Sequence, residues 1–158
     1  MKISIGYNNM LGAKLIVRKA TTFRRLTLAD QKLAFAAFGI LAEVQVALWL
    51  LPFQRVMRLF VNSDVRRTAG KGYTSQKVVW AVRLAIRYVP GATCLPQALT
   101  TYILLGRYGH PSCLHVGVAS APKFEAHAWV ECDGKVVIGG WEKLDRFASI
   151  LILDTRKS

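Results

Sequence analysis

The chain is organised around two motifs, Ala-Thr-Cys-Leu-Pro-Gln-Ala at residues 92–98 and Ala-His-Ala-Trp-Val-Glu-Cys-Asp-Gly at residues 126–134. Cys94 follows a Pro-Gly turn signal, at the point where a helix should begin. His127 lies in an alternating segment that indicates a strand. A cysteine and a histidine that are distant in sequence, one on a helix and one on a strand, are typical of a thiolate nucleophile and its imidazole base.

The residues around the cysteine follow the period of helices. Helices are predicted over residues 27–51, 56–61, 75–88 and 94–108. Thr27 with Asp30 favours a helix start, because a hydroxyl and an acid satisfy the free amide end. Pro52 stops the first helix, and Gly109 is a suitable cap for the last one.

After Pro111 the apolar period changes to the alternation of strands. Strands are predicted over residues 113–119, 126–132, 135–138 and 150–153. Asp133-Gly134, between the second and third strands, is a strong signal for a two-residue hairpin. Helices followed by an antiparallel sheet predict an α+β fold.

The length of 158 residues suits one domain with a sizeable core. Because 53% of the residues are apolar, the composition excludes a disordered chain. Residues 1–25 combine apolar, glycine and basic segments and are predicted to be an N-terminal extension without assigned structure. Residues 26–158 are predicted to form a single domain.

The charge of the chain is strongly and unevenly basic. The net charge is +13, and residues 1–90 carry fifteen Lys and Arg against three Asp and Glu. A charge of this size favours an anionic partner, whether an acidic peptide, a membrane surface or nucleic acid. No interleaved aromatic and basic pattern indicates base stacking, so nucleic acid is not among the expected partners.

The cysteine usage suits a reducing compartment. Cys94, Cys113 and Cys132 form no Cys-x-x-Cys pair, and any disulfide scheme leaves one of them over. The N-terminus lacks an apolar run followed by a small-residue cleavage site, so no signal peptide is predicted. The sequence therefore predicts a cytoplasmic protein.

Residues 33–53 form an apolar run nearly long enough to cross a bilayer. Glu43 and Gln45 lie within this run, and an acid in the middle of a membrane span is costly. The sequence therefore favours a helix that is buried on most of its faces. Insertion into a membrane is the alternative, and contact with the inner face of a membrane through Arg55 and Arg58 is a lesser variant.

The position of Cys94 favours a catalytic role. At a helix start the sulfur meets unpaired amides and the positive end of the helix dipole, which favour the nucleophilic thiolate. The same amides can hold an oxyanion once the sulfur has attacked a carbonyl group. An isolated cysteine is more often a small core residue, but the helix start and the downstream histidine favour the nucleophile.

The hairpin count selects an acid to orient the imidazole. With a two-residue turn, His127 faces Gly140, and Glu142 lies diagonally on the same face of the sheet. Glu142 is therefore the best-placed acid, with Asp145 behind it. Glu131 lies about 13 Å away along the strand. A backbone carbonyl or a neutral side chain is the alternative partner for the ring.

A zinc site is a further alternative. Soft ligands are supplied by His110, Cys113, His115, His127 and Cys132. Their spacing matches neither a Cys-x-x-Cys pair nor a His-Glu-x-x-His helix. The sequence therefore predicts neither a metal nor another cofactor.

Several segments carry a likeness to a known family. They are Leu-Thr-Leu-Ala-Asp at 26–30, Ala-Leu-Trp-Leu-Leu-Pro-Phe at 47–53, Val-Pro-Gly-Ala-Thr-Cys-Leu at 89–95, His-Val-Gly-Val at 115–118, Ala-His-Ala-Trp-Val-Glu at 126–131 and Val-Val-Ile-Gly-Gly at 136–140. Together they resemble the stand-alone leader peptidases of lasso-peptide biosynthesis, a transglutaminase-like family, over about residues 26–150. The motifs around Cys94 and His127 are specific in combination.

The resemblance implies a papain-like fold and a cysteine peptidase that removes the leader from a ribosomally made precursor. It implies that Cys94 is the nucleophile and His127 the base. The third member of the family's triad is an aspartate near Gly139 or Gly140, and this chain has glycine at both positions. Glu142 is the substitute that the hairpin count offers.

The resemblance also implies partners: the precursor peptide, a separate leader-recognition protein and an ATP-dependent macrolactam synthetase. Two other functions fit the same residues. One is acyl transfer to an amine in place of water, which a transglutaminase-like site can also perform. The other is a non-catalytic scaffold that presents the precursor to the synthetase.

Overall fold

The structure, a computed structural model, describes residues 26–60, 72–120, 123–140 and 144–155. The chain forms two compact units, residues 1–33 and residues 34–158. The predicted N-terminal extension, residues 1–25, lies outside the described residues. In the first unit the structure describes residues 26–33, where the first helix begins.

Four helices come first in the described part of the chain. They are α1 (Leu28–Leu50), α2 (Phe53–Phe60), α3 (Ser75–Ile86) and α4 (Cys94–Arg107). The Thr27 hydroxyl accepts a hydrogen bond from the Asp30 amide at 3.2 Å, as the sequence predicts for the start of α1. Thr74 caps α3 in the same way, and Gly109, with φ +76°, follows α4.

The strands form one antiparallel sheet in the order β3-β2-β1-β4. They are β1 (Ser112–Ala119), β2 (Glu125–Cys132), β3 (Lys135–Ile138) and β4 (Ala148–Asp154). Asp133 and Gly134, with φ 52° and 71°, have the left-handed backbone that a tight β2–β3 turn requires. The predicted α+β arrangement of helices followed by an antiparallel sheet is confirmed.

A β-bulge interrupts the hairpin between β2 and β3. Glu131 pairs with Val136, whereas Val130 pairs with Ile138, so Val137 is an extra residue on β3. A bulge shifts every later residue of its strand by one position. The hairpin count, which assumes an uninterrupted ladder, is therefore wrong beyond this point.

Helix α4 lies in the core. It packs against β1, β2 and β3 and also against α3, and nearly all of its residues after the first turn are buried. Leu99 and Leu105 are fully buried, as are Leu114 and Val130 of the sheet. Each such side chain stabilises the fold by about 2 kcal/mol through burial. The core therefore joins the helix that begins at Cys94 to the strand that carries His127.

Helix α1 differs from the expectation of a helix buried on most faces. Ala37, Leu41 and Val44 are fully buried, but Trp49 and Leu50 are 70% and 76% exposed. By length and composition α1 is able to cross a membrane, and 39% of its most apolar 18-residue segment is buried. The prediction was wrong because apolar residues lie on several sides of α1. The sequence pattern therefore does not show which side packs against the rest of the protein.

Candidate active site

Cys94 is the first residue of α4 and is half-buried. Thr93 before it has the extended backbone of an N-cap, but its side chain makes no capping hydrogen bond. The first-turn amides are therefore not bound by a capping side chain. Since Pro96 has no N–H, these amides are those of Cys94 and Leu95. Two such donors beside the sulfur suit the stabilisation of an oxyanion.

The turn before Cys94 is held by Gln97. The Gln97 Nε2 group donates a hydrogen bond to the Ala92 carbonyl at 2.6 Å. The Gln97 amide also donates to the Thr93 carbonyl at 3.4 Å, which closes the first turn of the helix. The side chain of a helical residue therefore fixes the loop from which the cysteine projects.

His127 has a backbone carbonyl as its partner. Its Nε2 lies 2.8 Å from the Gly139 carbonyl oxygen. A carbonyl oxygen can only accept a hydrogen bond, so Nε2 carries the proton and Nδ1 of the neutral ring has the free lone pair. In the described part of the chain the ring bonds to Gly139 and not to the Cys94 thiol. The pairing of the Cys94 sulfur with Nδ1 stays a prediction.

Gly139 is confined to glycine by its surroundings. Its φ is +79°, in the left-handed region, and a Cβ added there would lie 2.6 Å from the Ala128 carbonyl oxygen and 2.8 Å from Trp129 Cβ. An aspartate therefore does not fit at this position. The carbonyl alternative of the sequence analysis is the partner that the structure shows for His127 Nε2.

The two acids predicted as partners of His127 are Glu142 and Asp145. Glu142 lies outside the described residues, so its role stays a prediction. Asp145 lies in the short 3₁₀ helix Leu144–Arg146. The count that placed Gly140 opposite His127 is wrong by one residue, because of the bulge at Val137.

Aromatic rings surround His127 on one face of the sheet. The indole of Trp129 stacks on the imidazole of His115, with ring centres 5.0 Å apart, and its ring lies 6.2 Å from that of His127. Phe147, just before β4, contacts His127 at 5.3 Å. The rings of Trp129 and Phe147 are themselves 6.4 Å apart, so the imidazole of His127 packs beside a pair of neighbouring aromatic rings.

Gly117 is the strand partner of His127 on β1. A Cβ at this glycine would lie 3.0 Å from Phe147 Cβ and 3.2 Å from the Trp129 ring. Any larger residue would push these two rings outward. Gly117 therefore allows the rings to pack closely around the imidazole.

The Glu131 carboxylate contacts the side chains of Trp129 and His115. Its Oε1 accepts a hydrogen bond from the Trp129 indole at 3.3 Å, and its Oε2 lies 3.7 Å from His115 Nε2. That His115 nitrogen is buried without a hydrogen-bond partner. Trp129 is thus fixed in orientation by a carboxylate and by ring stacking.

A helical side chain holds the bulge. The guanidinium Nη2 of Arg83, on α3, donates a hydrogen bond to the carbonyl of Val137 at 2.9 Å. Val137 lies two residues before Gly139, whose carbonyl binds His127. Arg83 therefore supports the backbone geometry that presents the partner of the base.

His110 and Cys132, two of the residues considered as zinc ligands, have other surroundings. His110 Nε2 is 2.8 Å from the Tyr73 carbonyl oxygen. Cys132 is buried, and this burial raises the pKa of its thiol, with a further contribution from the charge of Asp133. A thiol of this kind is a poor nucleophile at neutral pH.

Sequence reasoning missed Arg83, Gly117, Phe147 and Gln97 as contributors to this site. Gln97 lies in the quoted segment 92–98 and Gly117 in the segment 115–118, whereas Arg83 and Phe147 lie outside every quoted segment. All four act through hydrogen bonds or packing, which the residue types in the sequence do not reveal. The signal available for Gly139 was its place in the Gly139-Gly140 pair, where the resembling family has an acid. That pair marks the right position, but the group that contacts His127 there is a backbone carbonyl and not a carboxylate.

Comparison with known proteins gives one match. A family model described as the transglutaminase-like superfamily matches residues 38–152. The matched range contains Cys94, His127, strands β1 to β3 and most of β4. No curated protein and no solved structure shows a significant match to the chain.

Proposed function

The chain belongs to the transglutaminase-like superfamily, and from this premise we propose that it is a cysteine peptidase that removes the leader from a lasso-peptide precursor. Membership in the superfamily supports cysteine peptidase or acyltransferase chemistry. The observation that carries the proposal is the bond between His127 Nε2 and the Gly139 carbonyl. This bond leaves Nδ1 as the basic atom of the ring, which a partner of a cysteine thiol requires.

In the first half of the reaction, the Cys94 thiol gives its proton to His127 Nδ1. The sulfur then attacks the carbonyl carbon of the bond between leader and core. The first-turn amides of α4 stabilise the oxyanion that forms. As this intermediate collapses, the C–N bond breaks, the imidazolium protonates the departing amine, and the leader remains on Cys94 as a thioester.

In the second half, water replaces the released amine. His127 takes a proton from this water as the oxygen attacks the thioester carbonyl. The C–S bond breaks, the sulfur recovers a proton, and the leader departs with a free carboxylate. The Gly139 carbonyl stabilises the imidazolium by accepting its Nε2–H bond throughout.

The proposal includes partners. The resemblance set out above supports binding to a leader-recognition protein, with the macrolactam synthetase acting on the released core. A net charge of +12 over residues 1–90 supports an acidic surface on the leader or on its recognition protein. The site needs no metal or other cofactor for the steps above.

The experiment is cleavage of a lasso-peptide precursor by the purified chain, with and without the leader-recognition protein, followed by mass spectrometry. The native chain should give a leader that ends in a free carboxylate. Cys94→Ala should abolish cleavage and retain the fold. The matched control is Cys113→Ala, since Cys113 is also half-buried, and it should cleave normally.

Other outcomes decide between the rival functions. A leader that carries a new amide in place of the carboxylate would identify acyl transfer. Full maturation of the precursor with the Cys94→Ala chain would identify a scaffold and end the proposal. His127→Ala should lose cleavage as completely as Cys94→Ala, because neither residue acts without the other.

A further inference from the structure

The exposed side of α1 is apolar along its second half. Phe38, Val46 and Trp49 are 42%, 46% and 70% exposed, and the half-buried Ala42 lies between them. These residues follow one another in steps of three or four, so they share one side of the helix. Phe53, at the start of α2, is also exposed. We call Phe38, Ala42, Val46 and Trp49 the apolar stripe.

We propose that the apolar stripe docks on the surface of an anionic lipid bilayer. A contiguous apolar surface of this kind marks an interaction site in a water-soluble protein. Phenylalanine, valine and tryptophan on one side of a helix are the residues that enter the boundary between headgroups and acyl chains. Tryptophan in particular is enriched at that level of a membrane.

The opposite side of α1 decides between lying on a membrane and spanning it. Ala37, Leu41 and Val44 are fully buried within the protein. A membrane span would have to expose these residues to lipid and remove their packing partners. Since only one side of the helix is available, α1 can lie on a bilayer surface but not cross the bilayer in this fold.

The charge of the chain favours lipid over a second copy as the occupant. The net charge of +13 repels another copy of the same chain and attracts an anionic surface. Arg55 and Arg58, on α2 close to Trp49 in sequence, are exposed and can bind lipid phosphates. Glu43 is an exposed acid beside the stripe and opposes this attraction in part.

The test uses the purified full-length chain and sedimentation with lipid vesicles. One set of vesicles contains phosphatidylglycerol mixed with phosphatidylcholine, and the other contains phosphatidylcholine alone. The native chain should bind the anionic vesicles more tightly, and high salt should release it. Arg55→Gln with Arg58→Gln should weaken binding to the anionic vesicles by about tenfold and remove most of the preference for them.

The stripe is tested by Phe38→Ser, Val46→Ser and Trp49→Ser together. These side chains are exposed, so the variant should keep the native circular dichroism spectrum while its binding falls by at least about tenfold. The matched control is Ile150→Ser with Ile152→Ser, which removes two exposed isoleucines from β4 and should bind like the native chain.

Five results would overturn the proposal. The native chain could fail to bind either vesicle, or it could bind both equally. The stripe variant could bind as well as the native chain. The stripe variant could convert a native dimer into a monomer, which would identify a second copy as the occupant. Finally, release by detergent but not by high salt would indicate that α1 spans the bilayer.

Discussion

Gly139 combines a left-handed backbone with the hydrogen bond that orients His127. Its φ of +79° turns the carbonyl of this residue toward the ring, 2.8 Å from Nε2. Few side chains tolerate this conformation, and the contact with Ala128 removes the space for any of them. At the scale of a single residue, the absence of a side chain therefore allows the Gly139 carbonyl to reach His127.

Gly139→Ala should damage both the fold and the site. The left-handed backbone costs an alanine about 1–2 kcal/mol, and relief of the contact with the Ala128 carbonyl should add about 1–3 kcal/mol. Chemical denaturation measures this loss in the free energy of unfolding. Precursor cleavage should fall as well, because the carbonyl that binds His127 must move.

The matched control is Gly134→Ala, which has a similar φ of +71° but open space around its Cβ. It should lose only the cost of the backbone, about 1–2 kcal/mol, and should keep its activity. Equal losses of stability and activity in the two variants would contradict a special role for Gly139.

The cysteines should differ in their reaction with iodoacetamide. Burial, and then the charge of Asp133, raise the pKa of the Cys132 thiol, so less of it is thiolate at neutral pH. Cys94 is half-buried at a helix start and should be alkylated first. Peptide mapping after short exposure measures the order.

The pH dependence of labelling tests whether the raised pKa of Cys132 causes its slow reaction. Because the thiolate reacts, labelling of Cys132 in the folded chain should stay slow at neutral pH and rise only in alkaline buffer. In denaturant, where burial is lost, both thiols should react at similar rates. Fast labelling of Cys132 in the folded chain at neutral pH would contradict this description of the site.

At the scale of elements, the bulge in β3 connects a helix to the strand segment that binds His127. Arg83 of α3 bonds to the Val137 carbonyl, and the extra residue shifts Ile138 and Gly139 along β2. Without the bulge a different atom would face His127. The helix layer thus influences the imidazole through the backbone of a strand.

Arg83→Met should loosen the bulge without unfolding the chain, because the arginine is exposed. Loss of one hydrogen bond of this kind should lower kcat/KM by about threefold to tenfold. Arg83→Lys, which keeps a donor, should recover part of the loss. Arg87→Met, an exposed arginine on the following turn, is the matched control and should cleave normally.

A second measurement separates positioning from general stability. Nitrogen-15 NMR of the histidine rings reports which nitrogen of His127 carries the proton. In Arg83→Met the Nε2–H form should lose population, while a merely structural effect would leave the ratio of the two forms unchanged. Unchanged tautomers together with unchanged kcat/KM would refute the positioning role.

At the scale of the whole molecule, the positive charge is distributed unevenly along the sequence. Residues 1–90 carry a net charge of +12, and the residues that follow, including both motifs, carry +1. A segment with this much positive charge attracts an acidic partner.

Binding of the leader or its recognition protein should therefore depend on salt. Raising NaCl from about 0.05 to about 0.5 M shortens the screening length and should raise Kd by about tenfold. Calorimetric titration measures the change. A leader whose acidic residues are replaced by their amides is the control and should bind weakly at both concentrations. A Kd of the native pair that does not respond to salt would count against electrostatic docking.

The order of the elements followed from the sequence because its causes are local. A hydroxyl at a helix start, a glycine after a helix end and Asp133-Gly134 at a hairpin act within a few residues. The helix boundary at Cys94 and the strand around His127 were predicted in this way and are present in the fold. The match to the transglutaminase-like superfamily agrees with that order.

Tertiary structure alone decided the partner of His127 and the exposed side of α1. The bulge before Gly139 is contacted by Arg83, 54 residues before Val137 in the chain. Helix α1 is apolar on several sides, so only packing shows that Leu41 is covered and Trp49 is not. Periodicity and turn signals report local preferences, whereas these two features arise from contacts between residues that are distant in sequence.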